Sequence, residues 1–373
     1  IDEYGEIIIQ GQINTVNGIG LYAGGTYFLS NGEGFRSPMY IDNDAKLNTF
    51  SKDQLNAFKH LVNVEGISIP TASDIVEKEG KIELVSVQDN SHNHVSLLAL
   101  ELGYSNFQAV EAYSKVAVYG DLQSRGDINI QSYAVNGTVS AISKDGKKTF
   151  DGNNKLSKVA SEIVFGGNAV AGGNITVEAI ADNENTSGSF SLKNVIPRIV
   201  GININADVLF SKTKSKVDIK KGSVLDAKLA LKIDAITSSS QQMGLKVYAS
   251  MNKNINDTSK QARMLPAGSA VYAEADTESI VNFDGTAISR AESLNEDEAS
   301  ISLRSELNST LDVSSTAEVI TKVAPMQAAL GIGTSTNKAA LTIGENASFE
   351  TKQDVEIVSE TNAESYVEAA SKA

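Results

Sequence analysis

Gly173-Asn174-Ile175-Thr176-Val177 opens on a glycine–asparagine turn and continues as a short alternation of apolar and polar side chains. The same figure stands at Gly5-Glu6-Ile7-Ile8-Ile9, at Gly80-Lys81-Ile82-Glu83-Leu84-Val85 and at Gly126-Asp127-Ile128-Asn129-Ile130. Glycine lets the backbone turn at little steric cost, and a strand sends successive side chains to opposite faces. A unit this short cannot bury its own apolar face, so its copies must stack on one another. The pattern predicts an all-β chain, a parallel β-helix (β-solenoid) running through residues 1–373 as one unit.

A solenoid grows by adding coils, so 373 residues need not divide into several domains. With about 20–25 residues and about 4.8 Å of rise per coil, the expectation is roughly 15–18 coils and a rod about 70–85 Å long. Aromatic residues make up 6% of the chain and tryptophan is absent, which suits stacked coils better than a large globular core. The net charge of −14 argues against nucleic acid as a partner, because phosphate binding needs a cationic face. With no cysteine there are no disulfides, thiolate metal sites or cysteine nucleophiles. No apolar run reaches the length of a membrane span and no signal peptide is visible. The chain begins with Ile1 and not Met, so it is expected to be a segment of a longer polypeptide.

The regular pattern is interrupted once near its start. Residues 31–43 are rich in Gly, Asn and Pro and read as loop. Residues 51–62 read as helix, with Ser51 as N-cap and Leu55, Phe58, Leu61 and Val62 on one face. Together they predict a small helical insertion near residues 45–64, inside an interruption of about 29–79. Asn136-Gly137 and Asp145-Gly146 carry tight-turn signals. Gly166-Gly167-Asn168 and Gly172-Gly173-Asn174 read as successive corners. Residues 250–267 read as a looped excursion. Charge is banded: eleven Lys/Arg face five Asp between residues 203 and 267, and six Lys/Arg face eighteen Asp/Glu from there to the end.

Some of these stretches resemble a known family. Gly11-Gln12-Ile13-Asn14 leading to Gly18-Ile19-Gly20-Leu21-Tyr22-Ala23-Gly24 looks like the coils of filamentous-haemagglutinin-type secreted proteins, as does Leu61-Val62-Asn63-Val64-Glu65-Gly66-Ile67. Lys221-Gly222-Ser223-Val224-Leu225-Asp226-Ala227-Lys228, through Lys232-Ile233-Asp234-Ala235, is similar to repeats of the fusobacterial leukotoxin and filamentous-adhesin branch. The resemblance implies a right-handed parallel β-helix exported by a two-partner system through an outer-membrane transporter. It implies a secreted or cell-surface protein that acts on host cells as adhesin or leukocyte-directed toxin. No catalytic motif belongs to this pattern, so no active-site residue is carried over and no cofactor is implied.

Candidate functional residues are few. Lys212, Lys214 and Lys216 alternate and so share one outward face, with Lys220, Lys221 and Lys228 close behind. Such a stripe attracts sulfated glycans or anionic headgroups, and it equally serves as a solubilising face. Arg125-Gly126-Asp127 is the tripeptide that integrins recognise, yet Gly126-Asp127 also opens a strand as other corners do. His92 and His94, with Asp89 nearby, sit at a spacing that could share a metal, but no third ligand follows, and a solvated turn is the simpler reading. Asp151, Asp182 and Glu184 are the acids a polysaccharide-cleaving β-helix would need, in a chain without the tryptophan platforms of sugar clefts. Asn136-Gly137-Thr138 and Asn308-Ser309-Thr310 match the glycosylation triplet.

The expectation is a non-enzymatic, monomeric leukotoxin or adhesin rod segment whose partner is a host cell-surface receptor or glycan. A passive spacer within a filamentous adhesin is the alternative, and a polysaccharide-cleaving enzyme a weaker one.

Overall fold

Along residues 156–171 and 206–217 every second side chain is buried, as strands with one face on a core require. The computed structural model describes residues 7–9, 12–15, 18–26, 35–41, 46–49, 80–93, 106–144, 147–150, 153–187, 203–250, 266–292, 300–320 and 326–372. Among them all regular structure is β, in seven successive three-strand coils. The first is β1 (Ile7–Ile9), β2 (Gln12–Thr15) and β3 (Gly18–Thr26), and the second β4 (Phe35–Ile41), β5 (Lys46–Thr49) and β6 (Lys81–Asn93). The third is β7 (Asn106–Val118), β8 (Asp121–Ser124) and β9 (Ile128–Lys144), followed by the short β10 (Lys147–Phe150). The fourth is β11 (Asn153–Phe165), β12 (Asn168–Ala171) and β13 (Ile175–Ser187), and the fifth β14 (Asn203–Ile219), β15 (Val224–Ala227) and β16 (Leu231–Ser250). The sixth is β17 (Pro266–Phe283), β18 (Thr286–Ser289) and β19 (Ile301–Ile320), and the seventh β20 (Met326–Ile343), β21 (Ser348–Glu350) and β22 (Val355–Lys372).

Equivalent strands pair in parallel and build three sheets. Sheet A has the order β1-β4-β7-β11-β14-β17-β20, sheet B β2-β5-β8-β12-β15-β18-β21, and sheet C β3-β6-β9-β13-β16-β19-β22. Among the described strands only β10 departs, pairing antiparallel with β9 so that Lys147 lies opposite Lys144 on either side of the Asp145-Gly146 turn signal. The stack is that of a parallel β-solenoid. The coils, however, are much longer than the sequence reading allowed. Asn106 pairs with Asn153 and Asn203 with Ala267, so one coil consumes 47 to 64 residues in this part of the chain. Seven coils, six steps of about 4.8 Å, make a stack about 29 Å tall instead of the expected rod.

The expected interruption is also corrected. Residues 35–41, read as loop, are β4, paired with β1 and β7. Pro38 lies opposite Lys115 of β7, just outside the Met39–Ile41 stretch that β1 pairs, where a residue without an N–H is tolerated. Residues 46–49, inside the expected helical insertion, are β5. No helix is found among the described residues, and the predicted helix 51–62 lies outside them. Of the expected excursion at 250–267, Ser250 closes β16 and Pro266 opens β17, and the residues between lie outside those described.

The doubled glycines do mark corners. Gly166-Gly167 and Gly172-Gly173 flank β12 at its two ends. They are glycines because the coils nearly touch there: a Cβ on Gly167 would land on the carbonyl oxygen of Gly120, and one on Gly172 on that of Arg125. The interior is layered. Next to sheet B, Val116, Val118, Leu122, Ile128, Ile130, Phe165 and Phe283 from all three sheets form an apolar core. At the far end of the long strands a second core gathers Leu209, Met243, Leu245, Val271 and Val313 between sheets A and C.

Between the two apolar layers the interior is mainly polar, with a small apolar cluster of Ala112, Ala134, Val159 and Ala181 dividing its two rows. Ser132 Oγ donates to Ser114 Oγ at 2.8 Å, and Ser114 Oγ to Ser86 Oγ at 2.9 Å. Farther along, Asn136 Nδ2 donates to Asn183 Oδ1 at 2.8 Å, Asn183 Nδ2 to Thr213 Oγ1 at 2.9 Å, and Asn185 Nδ2 to Gln241 Oε1 at 2.7 Å. Asn136 was expected in a tight turn. It lies instead inside β9 with its amide turned inward and buried, which also removes the glycosylation reading there. Amide side chains satisfy one another from coil to coil, so each can be buried at low cost.

Candidate binding surface

The even-numbered residues of β14 face outward from sheet A, so Lys212, Lys214 and Lys216 do share a face. Register decides what they meet. Lys212 is the rung partner of Asp276 and Lys214 of Glu278 in the next coil. The ammoniums sit 3.1 Å from those carboxylates. Lys216 and Lys220 converge on one acceptor, Asp218 Oδ2, at 3.0 and 2.7 Å. Burial pushes the Asp218 carboxyl up, but the hydrogen bonds from Lys220 and Lys216 outweigh it and hold it below the ordinary value. The lysine stripe of the fifth coil is thus matched by acids, most of them in the sixth. This is how charge banding along the sequence becomes stacking complementarity in space. The most exposed of these pairs, Lys212–Asp276, is worth no more than about 1 kcal/mol.

Lys221 stands apart. It is exposed, next to Gly222, whose φ of 83° closes the corner between β14 and β15, and Ser223 N donates across that corner to Lys220 O at 3.1 Å. Among the described residues Lys221, Lys228 and the exposed Lys158 of β11 make no ion pair, although Glu111 of the preceding coil is the rung partner of Lys158.

The Arg125-Gly126-Asp127 tripeptide is a corner between β8 and β9. Gly126 is buried and its N–H donates to Gly80 O. Asp127 Oδ1 accepts from Asn174 N at 2.8 Å, and its carboxylate is 3.2 Å from Lys81 Nζ. Recognition by an integrin-type partner needs that carboxylate free, and here it ties three coils together.

The sequence reading missed an apolar patch beside the lysines. On the outer face of sheet A, Phe210 is 42% exposed, Leu330 55% and Ile332 41%. The Phe210 and Tyr272 rings lie 5.7 Å apart at 53°, and Tyr272 OH donates to Glu274 Oε2 at 3.0 Å. Tyr272 pairs with Val208 on one side and Ile332 on the other, so the patch crosses three coils. A signal for it was present: Val208-Leu209-Phe210 is apolar at both parities, as a strand with two apolar faces must be.

The remaining candidates are dispersed. Asp182 and Glu184 lie on β13, whereas Asp151, His60 and His94 fall outside the described residues. Asp89 and His92 are in β6, and among the described residues no group of three His, Cys, Asp or Glu gathers as a metal site. No protein-family model, no curated protein and no solved structure matches this chain.

Proposed function

We propose that this chain is a non-catalytic rod segment of a secreted bacterial surface protein of the leukotoxin and filamentous-adhesin type. In this reading it meets host cells, leukocytes among them, through the outer face of sheet A. The observation that carries it is the patch of exposed Phe210, Ile332 and Leu330 around the half-buried Tyr272 on the outer face of sheet A. Contiguous apolar surface of this kind is where partners dock, and the exposed Lys158 beside it, which makes no ion pair among the described residues, would favour an anionic receptor or glycan. Right-handed coiling, the rule for parallel crossovers, and two-partner export through an outer-membrane transporter belong to the same reading. So does a monomeric state.

A second reading, the passive spacer, is favoured by the ion pairs that neutralise Lys212, Lys214, Lys216 and Lys220. Binding of the fluorescently labelled chain to leukocytes, with epithelial cells and a charge-matched solenoid as controls, separates the two. The expected result is saturable, leukocyte-preferring binding that the double variant Phe210→Ser/Leu330→Ser loses. Binding no better than the control solenoid would make the segment a spacer, and saturable binding unchanged by the double variant would move recognition off sheet A.

A further inference from the structure

The outer face of sheet C carries a column of ionisable side chains climbing from coil to coil. Register sets Gln131, Glu178, Asp234 and Arg304 in one row, with Tyr133 and Lys232 beside it. Glu178 Oε2 accepts from Gln131 Nε2 and from Tyr133 OH, both at 3.2 Å. Arg304 lies 2.9 Å from Glu306 and 3.6 Å from Glu360. Lys232 Nζ holds Asp234 Oδ2 at 2.7 Å and stands 3.9 Å from Glu178 Oε1.

Asp234 does not fit the rest of the column. Its strand position faces outward, yet its side chain is only 1% exposed, sealed under its longer neighbours. Its Oδ1 has no hydrogen-bond partner, and neither has Nε of its rung partner Arg304. A buried carboxylate with one unsatisfied oxygen bears a desolvation cost, and Glu178 one rung away adds repulsion. Burial first and Glu178 second push the Asp234 carboxyl up, against the pull of Lys232 and Arg304. The Lys232 ammonium is pushed up too, the hydrogen bond to Asp234 outweighing its own partial burial. The two partners therefore value their ion pair oppositely. Asp234 decides the balance, because Lys232 keeps half its surface in water while the carboxylate keeps almost none.

We propose that Asp234 is an acid-relieved strain point between the fourth, fifth and sixth coils: by taking up a proton it sheds both the cost of buried charge and the repulsion of Glu178, so this residue burdens the stack less in mild acid than at neutral pH. The groups facing it are Lys232 on its own strand, Glu178 with Gln131 and Tyr133 behind it on one side, and Arg304 with Glu306 and Glu360 on the other. The charged form is the one the fold penalises. The penalty is absent below the unfolded-state value of an aspartate and grows as pH rises through the raised folded value.

Thermal unfolding of the full chain from about pH 4.5 to about pH 8, wild type against Asp234→Asn, tests this. The neutral isostere is expected to raise Tm at the alkaline end, with the gap closing as pH falls, and Glu178→Gln should make it close at lower pH. A gap that does not change with pH, or an Asp234→Asn variant that melts lower at the alkaline end, overturns the proposal. Should the variant fail to fold, carboxyl-carbon NMR of the wild type decides instead. An Asp234 titration above the ordinary aspartate range supports the proposal, and one at or below that range removes it.

Discussion

Replacing Asn183 with alanine removes the centre of the buried amide row. Asn183 is fully buried, and its Oδ1 accepts from Asn136 Nδ2 at 2.8 Å, Ser157 Oγ at 2.9 Å and Asn185 Nδ2 at 2.9 Å. Its Nδ2 donates to Thr213 at 2.9 Å and Ser211 at 3.0 Å. Not all five partners would be orphaned. Asn185 keeps Gln241 Oε1 at 2.7 Å, and Asn136 retains weaker contacts to Ser157 and Asn185 at 3.3 Å. Ser157 loses its acceptor, and the two hydroxyls of β14 lose their amide donor. With about 1–3 kcal/mol for each buried group left unpaired, and some re-pairing, Asn183→Ala should cost about 2–4 kcal/mol. Amide hydrogen exchange read coil by coil is the suitable assay, because a stacked array loses stability where it is cut. Protection should fall in β9, β11, β13 and β14 and much less in β20 to β22. A loss under about 0.5 kcal/mol, or one spread evenly over the seven coils, would refute the view that the polar layer is a satisfied network.

Three further positions test the same structure. Asp218→Asn should lower Tm at neutral pH, because the folded value of Asp218 is depressed by Lys216 and Lys220. Its contribution is present above the unfolded value and lost as pH falls through the folded one, so the wild-type advantage should vanish in acid, opposite in sign to Asp234. Gly167→Ala should lower stability by more than about 1 kcal/mol, measured by urea unfolding followed by circular dichroism. At Gly222, where a Cβ meets nothing within 4 Å but φ is 83°, asparagine should be better tolerated than alanine.

The contrast between those two glycines bears on what could be read from the sequence. Corners announce themselves locally, since a tight turn or a close backbone approach demands glycine wherever it occurs. Gly126 and Gly172-Gly173 could therefore be placed before any pairing was known. Coil length could not. Alternation in β14 or β16 states which face is buried, but nothing in a strand of 17 or 20 residues names the strand it will lie against. The interior asparagines mimic corners, because Asn136-Gly137 has the composition of a turn while its amide is stabilised by residues of the next coil, Asn183 first among them, 47 positions on.

The same dependence on register governs the charged side chains. Lys214 and Asp234 look alike in sequence as ordinary members of alternating strands. Stacking gives Lys214 an acid partner in the next coil, which leaves a neutral, half-buried pair. It gives Asp234 a second carboxylate on one side and an arginine on the other, under a cover that excludes water. The parity of a strand assigns a residue to a face, whereas its chemistry depends on the neighbours one coil away. In a solenoid those neighbours lie dozens of residues distant, so the lysine stripe was legible as a face and illegible as a binding site. The Phe210–Tyr272 patch needed both kinds of information: parity to put Phe210 outside, and register to set Val208, Tyr272 and Ile332 in one row.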